Sequence, residues 1–162
     1  MVGAGSSQSV GAERRLAELG IDLPTPPAPL GAYVATVQSG RLLFLSGTLP
    51  VVNHEPKYVG RLGKELDTES GRDALHTASL LALAAARAHL GTLDRVARVV
   101  RLGVYLATSG DFFDQPRVAD AASELFESIF GKEKTSVRVV LGVASLPLGV
   151  PVELEVLLEV AE

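Results

Sequence analysis

The chain contains no cysteine and no tryptophan, and only three tyrosines and five phenylalanines. Without cysteine there is no disulfide framework, no thiolate ligand for a metal and no thiol nucleophile. That absence agrees with a reducing compartment. No run of eighteen apolar residues occurs, which excludes a sequence-evident membrane helix. The opening "MVGAGSSQSVGAERR" lacks the basic segment followed by an apolar stretch that marks a secretory signal, so a cytoplasmic protein is expected. Neither sign of charge dominates: 15 Lys and Arg are interspersed with 19 Asp and Glu, for a net charge of −4. Affinity for nucleic acid rests largely on neutralising phosphates, so this balance argues against a nucleic-acid partner.

What is present is aliphatic. Of 162 residues, 47% are hydrophobic with few aromatics, enough for one domain with a Val, Leu and Ala core. Residues 1–10 are rich in Gly and Ser and are expected to be mobile. "AERRLAELG" reads as a short helix closed by Gly20, with Leu16 and Leu19 on one face. "LPTPPAPLG" has too many missing N–H groups for helix or central strand. Residues 1–28 therefore read as an N-terminal extension with a Pro-rich connector, and residues 29–162 as the domain proper.

Two strands are predicted in "AYVATVQSGRLLFLSGTLP" around a turn at Ser39-Gly40, with Tyr33, Ala35 and Val37 on one face and Leu42 to Leu45 a buried run. "HEPKYVG" offers a third, short strand. Asp67 or Thr68 can cap a long Ala- and Leu-rich helix that Gly91 ends. "RVARVVRLGVYLA" is the next strand, and a second helix runs from about Asp114 to Phe130, with Pro116 in its first turn and Gly131 after it. The chain closes on "SVRVVLGVASLPLGVPVELEV" (136–156), read as a hairpin around Pro-Leu-Gly. The result is an α+β fold with a mixed six-stranded sheet and both helices on one face. The other face is too aliphatic for plain solvent, which points to another subunit.

Arg138 is the one charge in its strand. Alternation puts it with Val140, Gly142 and Ala144, and leaves Glu153, Glu155 and Glu159 together on one face of the last strand. A guanidinium beside small residues suits a planar carboxylate. The simpler alternative is a cross-strand pair with Glu153 or Glu155. His54, His76 and His89 are too dispersed to suggest a metal site, and no Gly-rich phosphate loop is present.

"LGAYVATV", "LFLSGTLP" and "RVVLGVASLPLGVPVELEV" resemble the successive motifs of the YjgF/RidA family, the reactive intermediate deaminases, also known as endoribonuclease L-PSP; the similarity runs from Pro29 to Val160. The resemblance implies a chorismate-mutase-like fold in a barrel-like homotrimer with clefts between subunits. It also implies hydrolysis of enamines and imines such as 2-aminoacrylate to 2-keto acids and ammonia, with no cofactor and no metal. Arg138 matches the family arginine that clamps the substrate carboxylate, and Glu153 the glutamate that holds the attacking water. Tyr33 and Gly47 match residues lining the cleft, with Ser46, Asp120 and Val140 as further lining candidates. The sequence departs from the family pattern at Ser136-Val137 before the arginine, at Val139-Val140 after it, at Thr48 in place of a glutamine, and at Asp120, where a helix asparagine is common. Two other activities compete: a non-catalytic protein binding a 2-keto acid or similar ligand, and, disfavoured by the acidic charge, a ribonuclease or translation inhibitor.

Overall fold

The structure, a computed structural model, describes residues 10–162. The Gly/Ser-rich start, residues 1–9, lies outside the described residues, and with it the expectation of mobility there.

Helix α1 spans Ala12–Glu18. Ala12 and Leu16 enter the core, whereas Leu19, predicted to share a face with Leu16, is 49% exposed beyond the helix end. Glu13 fastens α1 to the rest of the molecule: its carboxylate accepts from the Leu93 N–H at 2.9 Å and pairs with Arg87 at 3.3 Å. The proline-rich segment then runs without regular structure to β1 (Thr36–Ser39), which turns at Gly40 into β2 (Leu42–Leu45).

The third predicted strand does not join the main sheet. β3 (Val51–Val52) and β4 (Glu55–Pro56) pair only with each other. Asn53 and His54 connect them, both with positive φ, as the twist of a two-residue hairpin loop requires. The sheet is consequently five-stranded rather than six-stranded.

Helix α2 (Thr68–Leu90) is capped by Asp67, which accepts from the Ser70 N–H, and ends at Gly91. β5 (Val96–Ala107), α3 (Gln115–Phe130), β6 (Val137–Val143) and β7 (Val152–Val160) follow. Strand order is β1-β2-β7-β5-β6, with β5 and β6 parallel and the other neighbours antiparallel. The closing segment is therefore not a hairpin. β5 lies between β6 and β7, because the crossover through α3 sets β6 beside β5 and the chain then returns along the opposite edge of β5.

Both helices cover one face. Beneath them lie Leu43 and Leu45 of β2, Leu102, Val104 and Leu106 of β5, and Val152, Leu154, Val156 and Leu158 of β7, all buried. Small residues permit the close approach of the helices: a Cβ on Gly71 of α2 would stand 2.8 Å from Leu62 and 3.2 Å from Val118 of α3. The predicted buried run from Leu42 to Leu45 alternates instead, with Leu42 and Phe44 on the uncovered face. In β5, register shifts between Val96 and Arg98 and between Val99 and Arg101 let Val96, Val99 and Leu102 all point into the core. Those bulges account for a strand whose odd and even positions are both apolar.

Candidate functional site

Glu153 stands on the uncovered face of the sheet, opposite Tyr105 in the β5–β7 register. The bridge between Thr48 and Leu154, sealed by backbone bonds of 2.8 and 3.0 Å, lays the Ser46-Gly47-Thr48 segment against β7. Gly47 is required there. A Cβ at that position would come within 2.1 Å of Glu153 Oε1, so only a bare backbone leaves room for the carboxylate. Ser46 Oγ donates to the Val34 carbonyl at 2.6 Å and its N–H to that of Ala35 at 2.9 Å, which draws the loop bearing Tyr33 alongside.

Tyr33 itself lies in a bend before β1, not on the strand as predicted. Its hydroxyl accepts from the Leu30 N–H at 3.1 Å, the residue is 49% exposed, and its ring lies close to Gly31.

The second carboxylate of β7 is differently placed. Glu155 receives Arg101 Nη1 at 2.6 Å and the Tyr105 hydroxyl at 3.0 Å. Glu153, partly buried, has no hydrogen-bond or ion-pair partner among the described residues. Burial, and then the negative charge of Glu155, push its pKa above the ordinary carboxylate value. An unpaired, partly desolvated carboxyl group beside an open glycine backbone can exchange a proton with a water or small ligand.

Arg138 is elsewhere. It stands opposite Leu102 in the β5–β6 register, so it belongs to the helix-covered face, across the sheet from Glu153 and separated from it by β5. Neither cross-strand pair, with Glu153 or with Glu155, forms. Arg138 Nη1 instead donates to Asp120 Oδ1 at 2.8 Å and Ser123 Oγ at 3.0 Å, both on α3. The space expected beside Gly142 is taken by Thr108 Oγ1 and Gln115 Nε2, 3.0 and 3.6 Å from where a Cβ would sit. Val140 is partly buried and packs on the core, so an aliphatic side chain suits that position.

The candidate residues thus fall into two groups on opposite faces of the sheet. Tyr33, Ser46, Gly47 and Glu153 form one, and Arg138, Asp120 and Val140 the other. Ser123, Tyr105 and the roles of Arg101 and Glu155 were not evident along the chain. Ser123 was findable as the i+3 neighbour of Asp120 on a helix face. Tyr105 and Arg101 depended on a register that a bulged strand conceals.

A family model described as "YjgF/chorismate_mutase-like, putative endoribonuclease" matches residues 13–159. The chain belongs to the YjgF family. It is 41% identical to Protein TCP17 of Trypanosoma cruzi over 89% of this chain and 91% of that protein. It is 28% identical to a 2-iminobutanoate/2-iminopropanoate deaminase of Dermatophagoides farinae, over 83% and 91% respectively. Among solved structures, Atu1372 of Agrobacterium tumefaciens matches with a TM-score of 0.84 at 33% identity, covering 92% of each chain. The YjgF match begins inside α1, whose Leu16 is buried in the core of this chain.

Proposed function

We propose that this protein hydrolyses small carboxylated enamines and imines, such as 2-aminoacrylate, to 2-keto acids and ammonia, in clefts between the copies of a homotrimer. The observation that carries the reading is Glu153: an unpaired, partly buried carboxyl group of raised pKa, beside a glycine that leaves it space. Membership of the YjgF family and similarity to an iminobutanoate/iminopropanoate deaminase support the substrate class.

The chemistry asks little of a protein. The enamine tautomerises to an imine, whose carbon is already electrophilic, so no cofactor is needed. Water adds to that carbon as Glu153 takes one of its protons and passes it to the nitrogen, forming a carbinolamine. The hydroxyl proton then moves through Glu153 to the nitrogen, the C–N bond breaks, and ammonia leaves as the carbonyl forms. Arg138 binds the substrate carboxylate and supplies orientation. Since Arg138 and Glu153 of one chain face opposite sides of the sheet, a working site takes Arg138 from one copy and Glu153 from its neighbour.

A coupled assay tests this. Serine dehydratase generates 2-aminoacrylate, and pyruvate release is followed with and without the protein. The expected result is faster release with the wild type and a loss of about 10²–10⁴-fold in Glu153→Gln, the range for removed acid–base assistance. No acceleration by the wild type overturns the reading. Capture of a keto acid without turnover is a second reading, favoured by Val139 and Val140 standing where family members carry a polar residue or thiol. In that case Glu153→Gln has no rate to alter, and keto-acid binding alone remains dependent on Arg138.

A further inference from the structure

Asp120 and Ser123 both receive the same nitrogen of Arg138, Nη1. Among the described residues, Nε and Nη2 make no hydrogen bond. These two nitrogens share the other edge of the guanidinium plane and present two parallel N–H groups, the arrangement that receives a carboxylate side-on. The Arg138 side chain keeps 25% of its surface exposed. Asp120 therefore occupies one corner of Arg138 and leaves the ligand-binding fork free.

Its charge has a consequence. With Asp120 Oδ1 only 2.8 Å away, the guanidinium's positive charge is largely offset before any ligand arrives. A ligand with a single carboxylate still gains two directional hydrogen bonds at the free edge. A ligand with a second carboxylate nearby also meets the negative charge of Asp120. Discrimination of this kind comes from repulsion of the wrong ligand rather than from tighter contact with the right one. Glu124, one turn along α3 from Asp120, is itself paired with Arg72 at 2.8 Å.

We propose that Asp120 is a specificity-determining residue that stays paired with Arg138 in the ligand complex and restricts the cleft to small monocarboxylates. The proposal rests on the functional reading above, and deepens it. Asp120→Asn is the informative substitution, since the amide oxygen can still accept from Nη1 while volume is kept and only the charge is lost.

The experiment is calorimetric titration of the full-length protein with 2-oxobutanoate, a monoanion, and 2-oxoglutarate, a dianion. The wild type should bind the monoanion in preference, and Asp120→Asn should narrow that preference by roughly tenfold or more, mainly by improving 2-oxoglutarate binding. Ser123→Ala removes an uncharged partner of the same nitrogen and should leave the ratio unchanged. Asp120→Ser also removes the charge and should shift the ratio as Asp120→Asn does, so it decides the matter if the amide variant does not fold. An unchanged ratio in the charge-removed variants, with binding still dependent on Arg138, overturns this inference alone. Loss of Arg138 dependence for both acids in every protein overturns the functional reading together with it.

Discussion

Glu153 and Gly47 form the tightest constraint in the candidate site. Because Gly47→Ala would drive a Cβ to 2.1 Å from the end of a flexible side chain, the carboxylate should swing away rather than the backbone unfold. Turnover should drop steeply in that variant while its thermal midpoint stays close to the wild type. A large loss of stability would instead mean that the glycine serves packing. Glu153 also carries a pH signature. Its pKa is raised above the ordinary 4.5 on folding, first by burial and then by Glu155, so the folded chain holds the proton more tightly than the unfolded one. The associated stability is complete below 4.5 and is lost as pH rises through the folded value. Glu153→Gln removes that loss, so the variant's melting temperature relative to wild type should climb between acidic and neutral pH. Parallel melting curves across that interval would show that the carboxyl is not perturbed.

At the scale of elements, two attachments are open to measurement. α1 is a short helix and would be marginal alone; burial of Leu16 and the Glu13 contacts hold it in place. Leu16→Ala should cost about 2–4 kcal/mol in urea unfolding, within the range for a buried leucine. Keto-acid binding should survive, since Arg138 and Glu153 lie on β6 and β7. The segment after the β3–β4 hairpin is tied to α2 through Asp73, which pairs with Lys57 at 2.7 Å and accepts from Tyr58 at 2.6 Å. Those contacts hold the Asp73 pKa below its ordinary 3.8, Lys57 contributing most. The sign is opposite to that of Glu153: stability from Asp73 is present above 3.8 and disappears as pH falls through the lower, folded value. Asp73→Asn should therefore destabilise the protein at neutral pH and much less in strong acid. An equal penalty at both would place the effect in packing.

For the molecule as a whole, the uncovered sheet face poses the physical problem. Val37, Leu42 and Phe44 on β1 and β2, and Val137 and Leu141 on β6, are 37–69% exposed there, among the carboxylates of β7. β1 and β6 are also unpaired edges. The proposed homotrimer would bury this apolar face against further copies. Light scattering should return three times the 17.0 kDa chain mass. Phe44→Glu should dissociate the assembly and abolish turnover while the circular dichroism of the monomer persists. A monomeric wild type at micromolar concentration would remove the intersubunit site altogether.

Much of this was readable along the chain. Asp67, Gly91, Pro116 and Gly131 marked the helix ends because capping is a local matter of φ and orphan N–H groups. Alternation assigned Glu153 and Val152 to opposite faces of β7 for the same reason, since side-chain direction follows from the pleat. Strand adjacency has no such local signature. The strand between β6 and β7 precedes both in sequence, and the α3 crossover decided its place. That one fact separates Arg138 from Glu153 and gives the arginine to Asp120 and Ser123. The bulges in β5, which blur its alternation, arise from pairing with β7 and vanish from view when the strand is read alone. Local chemistry and the family resemblance named the residues; the long-range chain path assigned their partners.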